Sequence, residues 1–168
     1  DRGGAVYVAD ADGDRVLAFD FAGRHLRAIG GHGEMEGRFL GLVAIAVAPH
    51  GELVACDRPH ESGPVRLQWF DTGGRVTRVA FASATASDAR RGRGAIAIAV
   101  DDSGRVAVGD EATGTVELLG PAGEVLARIG GLERPTALAF APDGSLLVAE
   151  GGAGRVRRLG LVPAATGR

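Results

Sequence analysis

Two short polar segments of this 168-residue chain hold the side chains best suited to chemistry. Imidazole and carboxylate groups that lie close together can ligate a metal ion or act as an acid–base pair. The spacing in these segments matches no metal-ligand motif. The sequence therefore favours solvated loop positions first, a partner-binding surface second, and a metal or catalytic site last. The residues are His32, Glu34, Glu36 and Arg38 in the first segment, and Asp57, Arg58, His60 and Glu61 in the second.

A carboxylate also recurs at one fixed position of a repeated phrase. In each copy, a turn glycine is followed by an apolar run and then by an acidic residue. Four such carboxylates suggest a ring of metal ligands. A residue that occurs in every copy is better explained by a structural role, in which it accepts backbone N–H groups or pairs with a nearby arginine. The acids are Asp10, Asp57, Asp110 and Glu150, and the arginines are Arg15, Arg66 and Arg155, with Thr115 standing in the third copy.

One basic cluster comprises Arg90, Arg91 and Arg93. Such a cluster can contact phosphate groups. No aromatic side chain for base stacking lies near it, and the formal net charge of the chain is −2. These two features do not favour binding of nucleic acid. We expect a solubilising loop at this position and no nucleic-acid partner.

These residues lie in and between segments that the sequence predicts to be short strands. The repeated phrase recurs at a spacing of roughly forty to fifty residues, which is the size of a propeller blade. Apolar residues alternate with period two in 43–48, 95–100 and 137–141, while Gly, Pro and Asp mark the reversals. The sequence predicts an all-β fold, a β-propeller of four-stranded antiparallel blades.

The repeats divide the chain unevenly. We expect one domain, 1–168, with repeats at approximately 1–41, 42–94, 95–134 and 135–168. The first repeat lacks its opening strand and the last lacks a convincing fourth strand, so two complete blades stand between two partial ones. Alanine alternating with larger residues suits the innermost strand of a blade, where neighbouring sheets converge.

The repeat resembles the NHL repeat. The resemblance rests on the glycine-spaced loop 30–39 with its Gly37-Arg38-Phe39, on the turn Pro142-Asp143-Gly144, and on Val148-Ala149-Glu150. NHL propellers are generally rings of six blades, which need more residues than this chain has. The resemblance leaves three arrangements: an excerpt of a longer propeller, a small closed ring, or a ring completed by self-association with a second chain. We favour the first and the last.

The propeller topology sorts the loops onto two rims. Connections from the second to the third strand and from one blade to the next emerge on the same rim, and in this chain these are the longer ones. Long loops on a rigid frame are where binding groups collect, so this rim, including Arg134, is the predicted site. Phe39 is predicted to wedge between two blades, and the lone Cys56 to be a buried, inert thiol.

The NHL resemblance implies a non-catalytic scaffold that binds a protein, peptide or other ligand through the loops of this rim. It also implies a soluble, extracytoplasmic domain of a larger bacterial protein, with no cofactor. One alternative is part of a propeller enzyme, a lactonase, lyase or metal-dependent hydrolase, whose catalytic residues lie largely outside these blades. A second alternative is an RNA-binding NHL domain. The apolar inner strands argue against catalysis, and no apolar run reaches the length of a membrane-spanning helix.

Overall fold

The computed structural model describes residues 1, 3–48, 50–59, 64–85 and 96–161, and within those ranges it consists of strands and turns. None of the described residues forms a helix with the length and apolarity needed to cross a membrane. The strands are β1 (Val6–Asp10), β2 (Arg15–Phe19), β3 (His25–Gly30), β4 (Leu42–Val47), β5 (Leu53–Asp57), β6 (Pro64–Phe70), β7 (Val76–Thr85), β8 (Ile96–Val100), β9 (Val106–Asp110), β10 (Thr115–Leu119), β11 (Val125–Ile129), β12 (Pro135–Phe140), β13 (Leu146–Glu150) and β14 (Arg155–Leu159).

The strands form four antiparallel sheets, each running up and down in chain order. The second and third sheets, β4 to β7 and β8 to β11, have four strands. The first and fourth, β1 to β3 and β12 to β14, have three strands within the described residues. The predicted all-β fold with four-stranded antiparallel blades is confirmed, and within the described residues two four-stranded sheets stand between two three-stranded ones. We number the sheets blades 1 to 4 in chain order.

The blades converge on their first strands. β4 contacts β8, and β8 contacts β12, while β1, the first strand of the shortened blade 1, contacts β4. The three strands with period-two alternation therefore lie side by side at the narrow end of the blades. Their alanines fit this position because a small side chain lets neighbouring sheets approach.

Apolar side chains fill the spaces between neighbouring blades. Val16 and Ile29 of blade 1 pack with Leu53 and Phe70 of blade 2 in one cluster. A second cluster joins blades 2 and 3 around Trp69, and a third joins blades 3 and 4. The Trp69 side chain is fully buried, and the Arg78 guanidinium lies 4.2 Å from the centroid of its ring system. The core is thus a series of inter-blade layers rather than one central cluster.

Strand β7 is longer than its sequence pattern indicates. The third apolar run of this repeat, Val76 to Val79, predicts a strand that ends before Ser83, but β7 continues to Thr85. It does so because it pairs with β6 as far as Pro64, across a register shift between Pro64 and Val65. Pairing with a distant segment extends this strand beyond its local apolar pattern.

Six of the strand connections are tight turns on one rim, which we call the short-turn rim (20–24, 48 and 50–52, 71–75, 101–105, 120–124 and 141–145). Carboxylates close several of these turns. The Asp143 carboxylate accepts hydrogen bonds from the hydroxyl and the backbone N–H of Ser145, at 2.7 and 3.1 Å, and pairs with Arg158. These contacts hold the pKa of Asp143 at about 2.

Candidate binding rim

The remaining connections among the described residues lie on the opposite rim, which we call the long-loop rim (11–14, 31–41, 58–59, 111–114, 130–134 and 151–154). Each repeated acid is the last residue of its strand at this rim and pairs in register with a residue near the start of the next strand. The register pairs are Asp10 with Arg15, Asp57 with Arg66, Asp110 with Thr115, and Glu150 with Arg155. Strand register therefore brings acid and arginine together in three of the four blades.

The loop 31–41 between blades 1 and 2 is folded on itself. Phe39 donates its backbone N–H to the Gly31 carbonyl at 2.9 Å, and Gly33 donates to the Phe39 carbonyl at 2.9 Å. The Phe39 ring is fully buried among residues of both blades, 5.6 Å from the ring of Phe70. Gly30 has a φ of 94°, and a Cβ there would lie 2.2 Å from the Phe39 ring. The ring and the glycine together fix where the loop leaves blade 1.

Two buried polar side chains of β6 donate hydrogen bonds to the backbone of this loop. Arg66 is 5% exposed and donates from Nε and Nη2 to the Asp57 carboxylate, at 2.9 and 2.6 Å. Its guanidinium also donates to the Glu34 carbonyl and, at 2.9 Å, to the Arg38 carbonyl. Gln68, which is fully buried, donates to the same Arg38 carbonyl at 2.8 Å. The loop backbone is thus tied to blade 2 by side chains that water does not reach.

Asp14 ties the same loop to blade 1. It is 8% exposed, has a φ of 46°, and accepts the backbone N–H groups of Gly41 and Leu42 at 2.9 and 3.0 Å. Its second carboxylate oxygen lies 2.7 Å from Nδ1 of His32. Burial acts to raise the pKa of Asp14, but these donors outweigh it and hold the pKa below its ordinary value. The result is an anchored carboxylate that orients an imidazole.

The loop presents its own polar side chains to solvent. His32, Glu34, Glu36 and Arg38 are all exposed, and Met35 between them is 79% exposed. The structure therefore groups the first predicted segment on one ordered loop.

The other predicted binding residues fall into two groups. Arg58 is half-buried, and its backbone N–H donates to the carbonyls of Leu40 and Gly41 at 3.1 and 3.2 Å, so it adjoins the end of the same loop. Arg134 lies in a different inter-blade loop, 130–134, where its Nε donates to Glu111 at 2.9 Å. His60, Glu61, Arg90, Arg91 and Arg93 lie outside the described residues.

The repeated acids contact backbone N–H groups and arginines to different extents. Glu150 accepts from Arg155 Nε at 2.6 Å and from the Glu133 N–H at 2.9 Å, and these bonds hold its pKa below the ordinary value. Asp10 accepts from Arg15 Nε at 2.7 Å. Asp110 accepts the N–H of Ala112 at 2.9 Å, but its buried Oδ2 has no partner among the described residues. Blade 3 is the exception because Thr115 cannot span the distance that arginine spans.

Sequence reasoning missed Asp14 and Gln68. Gln68 carries a usable signal, because it is an uncharged polar residue inside the apolar run of β6. Asp14 carries a weaker one, since an aspartate after Asp12-Gly13 reads as an ordinary turn residue. Its contacts with Gly41 and Leu42 depend on the fold and leave no trace in local sequence.

Cavities and metal-ligating groups give little support for a small-molecule site on this loop. Among the described residues, no group of three or more His, Cys, Asp or Glu side chains is placed to hold a metal ion. A cavity of about 440 Å³ lies on the short-turn rim between blades 3 and 4, lined by Asp101, Arg105 and Phe140 among others. A second, of about 300 Å³, includes Thr115, Glu117 and Arg128. No residue of loop 31–41 lines either cavity.

No protein-family model matches the chain, and no curated protein matches it. Solved structures do match. A protein of unknown function from Bacteroides caccae is 19% identical, with a TM-score of 0.64 over 94% of this chain and 57% of its own. Virginiamycin B lyase from Staphylococcus aureus is 15% identical, with a TM-score of 0.67 over 95% and 50%. BamB from Moraxella catarrhalis is 16% identical, with a TM-score of 0.59 over 91% and 39%.

These similarities show the fold. Virginiamycin B lyase and BamB are β-propeller proteins, and the chain matches their blades. The chain spans about half the length of the structures it matches.

Proposed function

We propose that this chain is an NHL-type propeller segment that binds a protein or peptide through the long-loop rim, with loop 31–41 at the centre of the contact. One observation carries the proposal: Arg66, Gln68 and Asp14 fix the loop backbone from within the blades while the side chains of the loop face solvent. A surface ordered before it meets a partner pays less conformational entropy on binding.

The chemistry of the loop favours a polar partner of mixed charge. Glu34 and Glu36 supply negative charge, Arg38 supplies positive charge, and the exposed Met35 supplies a flexible apolar contact. Such a surface fits a peptide or protein better than a uniformly charged polymer. The NHL-type identity, the single domain 1–168 with its repeats, and a place as an extracytoplasmic part of a larger bacterial protein belong to the same proposal.

Selection of peptides on the purified chain tests this role. A phage-displayed library of random peptides is panned against the chain, and the selected peptides are synthesised for titration against variants. Arg38→Glu reverses a charge on loop 31–41 and is expected to weaken peptide binding at least about tenfold, the equivalent of 1.4 kcal/mol.

Arg24→Glu is the matched control, because Arg24 lies on the short-turn rim with its side chain 82% exposed. We expect this variant to bind the selected peptides like the wild type. Failure to enrich any peptide sequence, or peptides that respond to Arg24→Glu and not to Arg38→Glu, would overturn the proposed binding rim. Circular dichroism checks that both variants keep the fold.

Acid–base catalysis is a second candidate, favoured by the Asp14–His32 contact of 2.7 Å. A buried carboxylate that orients an exposed imidazole is the arrangement of a general base and its positioning group. Virginiamycin B lyase, a propeller to which this chain is similar, is an enzyme. Turnover of virginiamycin B that is lost in His32→Gln would support catalysis, whereas absence of turnover by the wild-type chain would count against it.

A further inference from the structure

The cavity between blades 3 and 4 holds polar groups that the repeat does not explain. It has a volume of about 440 Å³ and lies on the short-turn rim, within the range of about 300–1,000 Å³ that is common for small-molecule sites. Asp101 and Arg105 of blade 3 line it together with Phe140 of blade 4. Because loop 31–41 lies on the opposite rim, this cavity is independent of the binding proposed for that loop.

The three side chains of this cavity depart from the repeat. The other copies hold alanine in place of the aspartate, glutamate or serine in place of the arginine, and valine in place of the phenylalanine. Counted back from the repeated acid, the equivalent residues are Ala48 and Ala141 for Asp101, Glu52 and Ser145 for Arg105, and Val47 and Val100 for Phe140. A residue that serves the blade itself is expected in every copy, so three departures that meet in one cavity indicate a local role.

Arg105 is held by one edge of its guanidinium, and the other edge has no partner. Nε donates to the Asp101 carboxylate at 2.6 Å, and the guanidinium carbon lies 5.6 Å from the centroid of the Phe140 ring. Nη1 and Nη2 donate no hydrogen bond to any described residue, although the side chain is only 23% exposed. A Cβ at Gly144 would lie 3.5 Å from Nη2. The unpartnered edge therefore extends from blade 3 towards the wall that blade 4 contributes.

Asp101 fixes this orientation and is itself satisfied. Its carboxylate accepts the hydroxyl and the backbone N–H of Ser103, at 2.8 and 2.9 Å, and the backbone N–H of Arg105 at 2.9 Å. Burial acts to raise the pKa of Asp101, but these donors outweigh it and hold the pKa below its ordinary value. Asp101 is thus an ionised positioning group whose oxygens are already occupied, whereas Arg105 has donors to offer.

We propose that this cavity binds a small organic monocarboxylate through Arg105. The Nη1 and Nη2 edge of a guanidinium matches the two oxygens of one carboxylate and can donate two parallel, charge-assisted hydrogen bonds to it. The remaining wall favours an apolar body for the ligand, because much of it is aliphatic or aromatic. These wall residues are Val100, Phe140, Ala141 and Pro142.

The charges around the cavity limit the ligand to one negative charge. Asp101 offsets part of the positive charge of Arg105, and Asp102, which is exposed, lines the cavity as well. A ligand with two negative charges would meet two carboxylates and a single guanidinium, and like charges at a contact are costly. A phosphate ester therefore fits this site less well than a monocarboxylate.

Matched acids and amides test the site. Small monocarboxylic acids with apolar bodies, phenylacetate among them, and the corresponding primary amides are titrated against the chain while its backbone N–H signals are followed by NMR. We expect at least one acid to bind, to shift the signals of 101–105 and 141–145, and to bind at least about tenfold more tightly than its amide. No binding by any acid, equal binding of acid and amide, or shifts confined to other residues would overturn the proposal.

Arg24→Lys is the matched control for Arg105→Lys. Arg24 closes its own turn in the same way, with Nε 2.7 Å from the Asp20 carboxylate, but its side chain is 82% exposed and lies outside the cavity. Lysine keeps the charge and loses the paired donors. Arg105→Lys is expected to weaken binding of the acid at least about tenfold, and Arg24→Lys to leave it unchanged. Equal effects of the two substitutions would contradict the role of Arg105.

Two further measurements keep the test decisive. Circular dichroism checks the fold of each variant, and Phe140→Leu, which leaves Arg105 and Asp101 in place, is expected to weaken binding of phenylacetate if the ring contacts the ligand. Inorganic phosphate is the competing probe. We expect it not to displace the acid at equal concentration, and displacement would rule out the assigned ligand class.

Discussion

Arg66 and Arg15 hold the same repeat position but differ in burial. The side chains of Arg66 and Asp57 are 6% and 0% exposed, whereas those of Arg15 and Asp10 are 50% and 29% exposed. An exposed ion pair contributes little because water and salt screen it. Removing one partner of a buried pair leaves an unpaired charge without water, which is costly.

We expect Arg66→Ala to lower the free energy of unfolding by about 3–5 kcal/mol. The substitution strands the Asp57 carboxylate and also frees the carbonyls of Glu34 and Arg38. Arg15→Ala, at the equivalent position of blade 1, is expected to cost about 0–1 kcal/mol. Urea unfolding of both variants measures the difference, and equal losses would contradict the role given to burial.

For these acid–arginine pairs, the sequence predicts which side chains pair better than it predicts how deeply each pair is buried. The repeat pairs Arg15 and Arg66 with their acids equally well, and nothing local distinguishes the two positions. Arg66 is buried because loop 31–41 lies over it, and the path of that loop depends on Phe39, Gln68 and Asp14. Burial of this kind follows from contacts between distant parts of the chain. The thiol of Cys56 was easier to foresee: it is fully buried in a strand, and burial raises its pKa well above the ordinary value.

Blade 3 lacks the acid–arginine pair that the other three blades have. Thr115 lies opposite Asp110, where arginine lies in blades 1, 2 and 4, and Asp110 Oδ2 has no partner among the described residues. Thr115 lines a cavity of about 300 Å³, so there is room for a longer side chain. A buried carboxylate oxygen without a donor destabilises the folded chain.

Thr115→Arg is expected to raise the free energy of unfolding by about 1 kcal/mol, because the guanidinium supplies charge-assisted hydrogen bonds to Asp110. Thr115→Met is the control, since it adds length without a donor. Thermal unfolding of the two variants measures the effect. A melting temperature of Thr115→Arg at or below that of Thr115→Met would show that Asp110 needs no such partner.

The elements themselves are predictable where local signals suffice. Period-two alternation identified β4, β8 and β12, and turn residues marked the reversals between strands. The extension of β7 to Thr85 was not predictable, since it follows from pairing with Pro64 in β6.

For the molecule as a whole, carboxylates with lowered pKa values make stability depend on pH. Hydrogen bonds from arginine, serine and backbone donors keep these groups ionised in the folded state. The groups are Asp10, Asp14, Asp20, Asp101, Asp143 and Glu150. A carboxylate whose pKa is lower in the folded than in the unfolded chain stabilises the fold above its unfolded pKa and loses that contribution as pH falls through its folded pKa.

We expect the urea midpoint to hold steady from neutral pH down to about pH 5 and to fall between about pH 4 and pH 2. The lower limit follows from the pKa of Asp143, about 2, against 3.8 for an ordinary aspartate. Asp143→Asn is expected to make this decline shallower, whereas Asp12→Asn, at an exposed turn position, serves as the control. A midpoint that stays constant down to pH 2 would contradict the stabilising role of these carboxylates.

The repeat predicts the number of blades, but it does not predict how deeply the strands of each blade are buried. All residues of β5 and of β9 are buried, whereas the equivalent strand β1 is exposed or half-buried throughout and β13 alternates between buried and half-buried residues. Composition cannot show this difference, because equivalent strands have similar sequences. It arises from position: within the described residues, blades 2 and 3 each contact a blade on both sides, while blades 1 and 4 each contact one.

Trp69 gives the protein a built-in optical reporter. It is the single tryptophan of the chain and lies, fully buried, in the layer between blades 2 and 3. Its fluorescence will shift to longer wavelength when that layer opens to water, and fraying of the outermost sheets will leave the emission unchanged. Comparison of fluorescence with circular dichroism during denaturation therefore separates the opening of the central blades from the loss of the terminal ones.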